Sequence, residues 1–446
     1  MKTVIVVGAG PAGLYASQKL AQAGHQVYLF NRDIKPGGLA EYGIYPAKEK
    51  MKGGLRKQFA KILSSPNMHY FGHVPVTMGG TVDLKGLAEF SPGALVCAVG
   101  AQGTKRLGLP GEDLQGVYSA KDFVYHYNAL PPFSSQDFST GKRVAVMGMG
   151  NVMVDIVRWL LVDDPEHKAE EVVVLARRGP LEAKFDQKEF AHIEAFLDRA
   201  AFQEELKRIQ GNLAGAGQHV AKVAEETFPI LSKPIGGTSG PKLYFRFLCS
   251  PQAIHGDAAG RVARLTLEEN TLVAREGGTS AKPTGKTAEV EADTMIMAIG
   301  DVADAGFGLP FAKGEYVTNR DGANAQRAAY EVFDPKSGSV QEGTYVVGWA
   351  RKASEGLVGV ARYDAEQGAT HILKYLESSP ERTPQAAPSE VSRWLERKGL
   401  QVVTKEDLGY LGRAEEREAQ QRGLPSFKYG SDSVMLEAIE NEKTHA

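Results

Sequence analysis

Two glycine-rich segments have the spacing of turns that bind the diphosphate of a dinucleotide. In the first, which reads G-x-G-x-x-G, the expected binding residues are Gly8, Gly10, Pro11, Ala12 and Gly13. The first glycine permits a tight turn, the second lets the backbone approach the diphosphate, and the third lets a helix pack closely on a strand. The diphosphate then contacts unpaired N–H groups at the positive end of that helix. The segment therefore predicts a nucleotide site near the start of the chain.

A second segment, in the middle of the chain, has the same design with one departure. Its expected binding residues are Gly148, Gly150, Asn151 and Val152. Met153 occupies the position where glycine or alanine is usual, so we expect the helix and strand to lie further apart here than at the first turn. The spacing predicts a second nucleotide site.

The residues that follow the second strand of each pattern indicate which nucleotide is bound. After the first, Asn31 stands where an acidic residue usually bonds the ribose hydroxyls, and its neutral side chain predicts a weaker contact at the adenosine end. After the second come Arg177 and Arg178, whose guanidinium groups are suited to bidentate binding of a 2′-phosphate. The two arginines predict NADPH rather than NADH, the alternative being that they are solvated surface residues.

Each turn lies within a predicted strand–helix–strand unit. Buried parallel strands read as continuous apolar runs, and such runs occupy residues 3–7, 26–30, 143–147 and 172–176. Helices are predicted from residue 11 to about residue 23 and from the second turn to about residue 162. The expected fold class is α/β, with two Rossmann-like dinucleotide-binding domains built on central parallel sheets.

The repeated pattern also predicts that one domain is inserted into the other. Apolar strands at residues 94–100 and 295–300 both end in glycine, and we interpret them as the points where the chain enters and leaves the insertion. This gives an inserted domain over residues 106–301 and an outer domain formed by residues 1–105 and 302–446. A linker at 378–389 precedes a packed helical appendage around Trp394 and Leu395. Glycine-rich stretches near 236–240 and 277–285 predict surface hairpin loops.

The composition is that of an ordinary globular protein. The 446 residues are 42% hydrophobic and 24% charged, with a formal net charge of −2. This balance favours neither nucleic-acid binding nor attachment to a membrane surface, and no apolar run is long enough for membrane insertion. The N-terminus lacks the pattern of a signal or transit peptide, so we expect a cytoplasmic protein.

The two cysteines, Cys97 and Cys249, are far apart in the chain, and each lies in an apolar run. We expect both thiols to be buried and unreactive. Without a C-x-x-C pair, the chain is not expected to be a dithiol–disulfide reductase. Without a cysteine cluster, any iron–sulfur centre must belong to a partner.

Taken together, these motifs resemble the adrenodoxin reductase family of ferredoxin–NADP(+) reductases. The likeness covers nearly the whole chain, in segments 38–44, 107–128, 150–155, 177–181, 247–270, 308–311, 348–365 and 394–428. It implies FAD at the first turn and NADP at the second, with the NADP-binding domain inserted into the FAD-binding domain. Both sites are also similar to those of the glutamate synthase flavin subunit, which has a cysteine-rich iron–sulfur region ahead of its first turn.

The resemblance implies further contact residues. The backbone of Gly38 and Leu39 would lie along the FAD, and Glu189 would contact NADP. Gly348 and Trp349 belong to the late flavin-binding segment, with the tryptophan packed near the ring. The other FAD contacts implied are Val74, Gly100, Gly356, Leu357 and Val358.

Two segments depart from the family pattern. Residues 353–355 read Ala-Ser-Glu where the family has Gly-Pro-Thr. The carboxylate of Glu355 therefore either lies near the nicotinamide or flavin or faces solvent. Residues 46–50 lack the Asp-His pair of mitochondrial members, so no proton relay is expected for that segment.

The resemblance implies an enzyme that passes electrons between NADPH and a ferredoxin-type iron–sulfur protein or flavodoxin. Hydride transfer depends on stacking and exclusion of water more than on a side-chain acid or base, so no catalytic residue is assigned. Such a partner would dock on basic residues. The candidates Lys184, Lys188, Arg199, Lys207 and Arg208 are interleaved with acidic residues, which favours an ordinary mixed surface.

Two alternatives stay open. One is an NADPH-dependent flavoenzyme that acts on a small organic acceptor or on oxygen. The other is a flavin-binding subunit without turnover. The protein is expected to be a monomer or a weak oligomer.

Overall fold

The computed structural model describes residues 1–166, 168–233, 240–319, 329–352, 358–380 and 386–445. Its strands are β1 Thr3–Val7, β2 Gln26–Phe30, β3 Met68–Phe71, β4 Ala94–Cys97, β5 Gly103–Thr104, β6 Val117–Ser119, β7 Arg143–Met147, β8 Glu171–Leu175, β9 Lys242–Arg246, β10 Cys249–Gly256, β11 Val262–Arg275, β12 Gly278–Glu291, β13 Thr294–Met297, β14 Asp301–Val302, β15 Phe311–Ala312, β16 Glu315–Tyr316, β17 Glu331–Asp334 and β18 Ser339–Val346.

The helices are α1 Pro11–Gln22, α2 Leu39–Tyr42, α3 Glu49–Leu63, α4 Leu84–Ala88, α5 Ala120–Tyr127, α6 Asn151–Arg158, α7 Gln187–Phe190, α8 Arg199–Gly215, α9 Val358–Ser378, α10 Pro388–Arg397, α11 Lys405–Arg422 and α12 Asp432–Thr444. Short turns of 3-10 or π-helix connect several of them, including the π-helical turn Trp159–Asp163 directly after α6.

The chain forms two compact units. The first consists of Met1–Thr104, Tyr125–Gln136 and Gly300–Ala446, and the second of Lys105–Val124 and Asp137–Ile299. The predicted division placed residues 125–136 in the inserted domain, whereas the structure places them in the first unit. They belong there because Tyr125 and Leu130 pack with Tyr42 in one apolar cluster. Which nucleotide each unit binds remains a prediction at this point.

A central sheet of mainly parallel strands organises the first unit. Its strand order is β17-β18-β4-β1-β2-β3, and only the β17–β18 pair is antiparallel. In β1, Val7 pairs with Phe30 of β2 and with Cys97 of β4, so the three strands end at the same edge. The first glycine turn leaves the sheet at that edge.

The second unit repeats this design. Its five-stranded parallel sheet has the order β6-β13-β7-β8-β9. Met147 at the end of β7 pairs with Leu175 of β8 and Met297 of β13, so this turn also leaves the sheet where three parallel strands end. The α/β fold class with central parallel sheets is therefore confirmed.

Apolar layers cover both faces of the first sheet. On one face α1 and α9 pack together, and on the other Val391 and Leu395 of α10 join the core. A smaller cluster links Ile34 to Leu411 of α11 and Met435 of α12. The C-terminal helices are thus packed against the first unit, and α10 begins within the predicted linker.

Several predicted element boundaries differ from the structure. Strands β4 and β13 end at Cys97 and Met297, before the glycines that were expected to close them. The prediction of a hairpin loop at 277–285 is wrong, because β12 begins at Gly278. Strand β12 pairs antiparallel with β11 from Arg275, opposite Gly278, to Arg264, opposite Glu291. A polar strand is stable there because one neighbour supplies its backbone hydrogen bonds. Of the stretch 236–240, only Gly240 is described.

Candidate functional site

The first glycine turn is packed so tightly that its glycines are required. Gly8 has φ +103°, donates its N–H to Phe30 O at 2.8 Å, and lies where a Cβ atom would be 2.5 Å from Ala98 O. A Cβ atom on Gly13 would overlap the carbonyl oxygen of Gly8. Only glycine has a low-energy conformation at such a φ and leaves room for these contacts.

The space in front of α1 is open. Gly10 is the N-cap of the helix and has no side chain to bond its first N–H groups. Among the described residues, no heavy atom outside the local chain lies within 4 Å of where a Gly10 side chain would project. Pro11 starts the helix, and the Ala12 side chain is buried. The turn therefore fits a diphosphate held by backbone N–H groups.

Two other segments of the first unit lie against this turn. Gly37 donates its N–H to Ala9 O at 2.7 Å, and a Cβ atom on Gly38 would be 3.2 Å from Gly10 Cα. Gly348, at φ +67°, lies so close to α1 that a Cβ atom there would overlap the Ala12 side chain. The predicted early and late FAD segments are thus brought together at one turn.

The other predicted FAD residues lie around these segments. Leu39 packs beside Tyr42, and Trp349 is half-buried within a 3-10 turn. Val74 is fully buried in the core, and Gly100 has φ +70° beyond the end of β4. Val358 starts α9, whereas Gly356, Leu357 and Glu355 lie outside the described residues.

Asn31 is engaged within the protein. The residue is 6% exposed, and its Oδ1 accepts a hydrogen bond from Ala9 N at 2.9 Å. Its Nδ2 donates to Asp33 O at 2.8 Å and to Lys35 O at 3.1 Å. These bonds use both amide hydrogens and one acceptor site. They favour a role in fixing the turn over the predicted ribose contact.

The second glycine turn reproduces the geometry of the first. Gly148, at φ +127°, donates its N–H to Leu175 O at 3.0 Å, and a Cβ atom there would overlap Ala298 O. Gly150 is the N-cap of α6 and faces open space in the same sense as Gly10. Met153 is fully buried at the helix–strand junction, where the first turn admits only glycine.

The predicted 2′-phosphate residues follow β8 directly. Arg177 is exposed, and Arg178 is half-buried with a long 3.5 Å contact from Nη1 to Thr279 O. Glu189, on α7, is half-buried. The exposed guanidinium of Arg177 is accessible to a ligand.

Beyond the arginines the chain returns to the glycine turn. Lys184 donates its backbone N–H to Met149 O at 2.8 Å, and Asp186 donates its own to Asn151 Oδ1 at 2.7 Å. Asn151, predicted as a nucleotide contact, thus anchors this segment, while Val152 is exposed. Lys184 is exposed beside the turn, although the sequence indicated only an ordinary surface lysine.

A buried group of charged residues lies next to the segment that begins at Gly38. Glu41 accepts two hydrogen bonds from Arg56, at 2.7 and 2.8 Å, and lies 3.4 Å from Nζ of Lys428. Lys52, 2% exposed, donates to Asn128 Oδ1 at 2.8 Å. These residues had no sequence signal, since each reads as an ordinary surface charge.

Burial and neighbouring charges shift the pKa values in this group. Burial opposes ionisation of Glu41, but the charges of Lys35 and Arg56 outweigh it and lower its pKa to about 2. Burial lowers the pKa of Lys428 to about 7 and that of Lys52 to about 8. The carboxylate is therefore held ionised, while both lysines are held near their point of deprotonation.

Both cysteines are buried, as expected. Cys97 is in β4 and Cys249 is in β10. Burial raises the pKa of the Cys97 thiol strongly and that of Cys249 to about 12. A thiol with such a pKa carries almost no thiolate at neutral pH and is unreactive.

Among the described residues, no group of three or more His, Cys, Asp or Glu side chains could hold a metal ion. In the same part of the chain, no helix combines the length and apolar character that a membrane crossing needs.

Comparison with known proteins gives one family profile over the first half of the chain and relatives that match along nearly all of it. Residues 2–225 match the profile of the pyridine nucleotide-disulphide oxidoreductase family. NADPH-ferredoxin reductase FprA of Mycobacterium leprae is 31% identical, with 97% of this chain and 97% of that protein covered. The mitochondrial NADPH:adrenodoxin oxidoreductase of Salvelinus fontinalis is 28% identical, with 97% and 90% covered. The structure of Mycobacterium tuberculosis FprA in complex with NADPH superimposes with a TM-score of 0.81 at 28% identity, covering 99% of each chain.

Proposed function

Because this chain belongs to the adrenodoxin reductase family of NADPH–ferredoxin reductases, we propose that its two glycine turns hold FAD and NADPH. The protein is a flavin-dependent oxidoreductase that passes electrons between NADPH and a ferredoxin-type iron–sulfur protein. When bound, the flavin supplies the step between the two-electron chemistry of the nicotinamide and one-electron transfer to the iron–sulfur partner.

One observation carries the assignment of two nucleotide sites. Gly8 and Gly148 both follow a buried parallel strand, both have a positive φ, and both lie against the carbonyl of an alanine beyond a neighbouring strand, Ala98 and Ala298. Each precedes a helix whose N-cap is a glycine facing open space. A repeated cradle of this kind is suited to two diphosphates.

The FAD-binding residues are assigned to the first unit. The backbone N–H groups of Gly10, Ala12 and Gly13 bind the diphosphate, and the segments at Gly38 and Gly348 bind on either side of the turn. Trp349 orients the flavin ring and excludes water from it. This assignment is supported by the approach of both segments to the first turn of α1.

NADPH is assigned to the second unit. The N–H groups at Gly150 and Asn151 bind its diphosphate, and Arg177 and Arg178 bind the 2′-phosphate, with Glu189 as a further contact. No side-chain acid or base is assigned to the chemistry, because hydride transfer depends on orientation and exclusion of water.

An external acceptor is favoured by the state of the cysteines. Cys97 is buried in one sheet and Cys249 in another, so no dithiol can take electrons from the flavin. The flavin therefore passes its electrons to an acceptor other than a dithiol of this chain, for which we propose a ferredoxin or a flavodoxin. We further propose that the enzyme works in the cytoplasm as a monomer or weak oligomer.

Stopped-flow absorbance of the purified holoenzyme tests the proposal. NADPH should bleach the yellow flavin, and an oxidised ferredoxin should then restore the colour faster than dissolved oxygen does. Reoxidation by oxygen at the same rate as by ferredoxin or flavodoxin would indicate a small-molecule acceptor instead. Flavin that NADPH leaves oxidised would indicate a binding subunit without turnover.

A further inference from the structure

The carboxylate of Asp364 is shared between a backbone turn and an arginine. Asp364 lies in the first half of α9, and its Oδ2 accepts a hydrogen bond from Gly348 N at 2.6 Å. Its Oδ1 accepts from Nε of Arg351 at 3.1 Å and from Nη2 of the same guanidinium. Both oxygens of the carboxylate are therefore engaged by residues of one short segment.

This ion pair is largely shielded from water. The side chains of Arg351 and Asp364 are 12% and 14% exposed. The guanidinium carbon of Arg351 also lies 4.3 Å from the ring centroid of Tyr330, whose hydroxyl is 3.4 Å from Asp364 Oδ1. Removing one partner of such a pair leaves the other charge buried and unpaired, which is strongly unfavourable. The pair therefore fixes the path of residues 348–351.

The segment that Asp364 holds is pressed against the first nucleotide turn. Gly348 has φ +67°, and a Cβ atom there would overlap the side chain of Ala12, two residues inside the N-cap of α1. Helix α9 is itself tied to α1, because Lys19 Nζ donates to Glu366 O at 2.9 Å and to Thr370 Oγ1 at 2.6 Å. Asp364 thus joins α1 and the Gly348 turn through one helix.

We propose that Asp364 is a positioning residue for the FAD, and this rests on the proposed function. It accepts the N–H of Gly348, neutralises Arg351, and so sets the distance between the Gly348–Trp349 backbone and the N-terminus of α1. The diphosphate and the ring of one FAD molecule must be bound at the same time by these two segments. A shift of the turn therefore weakens FAD binding and alters the surroundings of the ring.

Two substitutions in the purified holoenzyme separate the two contacts. Asp364→Leu removes both the acceptor for Gly348 and the charge facing Arg351. Because the Gly348 turn then loses a charge-assisted hydrogen bond that positions it, we expect the dissociation constant of FAD to rise by about 10-fold or more. Asp364→Asn keeps an acceptor for Gly348 and is expected to retain much more of the affinity.

FAD release is measured from the fluorescence of free flavin, and the visible absorption and circular dichroism of bound flavin report its surroundings. Asp364→Leu should change these spectra, and Asp364→Asn should partly restore them. The matched control is Glu366→Gln, two residues along the same helix, which breaks only an exposed pair with Arg362. It should leave FAD affinity and spectra at their wild-type values.

If Asp364→Leu does not fold, Arg351→Gln provides the second test. This substitution keeps the hydrogen bond from Gly348 to Asp364 and removes the ion pair. It should raise the FAD dissociation constant by less than Asp364→Leu, which removes both contacts, and it should also alter the flavin spectrum. Wild-type affinity and spectra in these variants would overturn the proposal for Asp364. Failure of the wild-type protein itself to bind FAD would instead overturn the proposed function.

Discussion

The side-chain oxygen of Asn31 accepts a hydrogen bond from the backbone N–H of Ala9 at 2.9 Å, which joins the end of β2 to the first glycine turn. Asn31→Asp tests whether this residue fixes the turn or contacts the ribose. If Asn31 contacts the ribose, a carboxylate at this position would strengthen the bond to the ribose hydroxyls. If Asn31 fixes the turn, the carboxylate would be repelled by the carbonyl oxygens of Asp33 and Lys35, to which the amide now donates.

We therefore expect Asn31→Asp to weaken FAD binding, measured as the dissociation constant by flavin fluorescence. Asn67→Asp, a half-buried amide in the same unit whose contact to Ala21 O is 3.4 Å, is the control and should have a smaller effect. Tighter FAD binding by the Asn31 variant would restore the ribose role.

The two arginines after β8 are expected to determine coenzyme preference. The double substitution Arg177→Ala and Arg178→Ala should raise the dissociation constant of NADPH by about 10- to 100-fold, because charge-assisted bonds to the 2′-phosphate are lost. Binding of NADH, which has no such phosphate, should change little. Titration of both coenzymes checks this, and an unchanged NADPH/NADH ratio would contradict the assignment.

Lys184 is expected to act on a different part of the coenzyme. Its backbone is bonded to Met149 within the glycine turn and its side chain is exposed, so we expect its ammonium group to contact a diphosphate at that turn. Lys184→Ala should weaken NADPH and NADH by the same factor, and the loss should shrink as salt is added. Lys188→Ala, an exposed lysine on α7, is the control. A loss of affinity for NADPH but not for NADH would indicate that Lys184 contacts the 2′-phosphate instead.

Lys428, whose side chain is 14% exposed, should make stability depend on pH. Its pKa is about 7 in the folded protein, against an ordinary value of 10.5. Between these values the unfolded chain binds more protons than the folded one, so stability rises with pH across this window. The unfolding temperature of the wild type, relative to Lys428→Met, should therefore increase from pH 6.5 to pH 9. Parallel curves of unfolding temperature against pH for the two proteins would exclude this role of Lys428. The control is Lys374→Met, at an exposed lysine, which should leave the curve unchanged.

The position of both glycine turns, each between a strand and a helix, could be predicted from the sequence because the motif is a short local pattern. The spacing of the glycines after an apolar run marks each turn, although the contacts that require Gly8 and Gly148 are made with Ala98 O and Ala298 O, which are distant in the sequence. The apolar runs before them form parallel strands for an equally local reason, since strands covered on both faces have no polar side.

Long-range relationships could not be predicted. Glu41 and Lys428 meet although 387 positions separate them, and both residue types are usually exposed. Asn31 follows β2 as the sequence indicated, but its hydrogen bonds to Tyr70, Asp33 and Lys35 depend on the folded loop and could not be predicted. The return of residues 125–136 to the first unit depends likewise on packing with Tyr42.

The packing between helix and strand at Gly13 differs from that at Met153. At Gly13 the helix is so near the strand that no side chain could be admitted, whereas the second junction accommodates a whole methionine. In the proposed assignment, the junction at Gly13 belongs to the FAD turn and the junction at Met153 to the NADPH turn. The same glycine spacing at the start of two turns therefore does not impose the same packing between helix and strand.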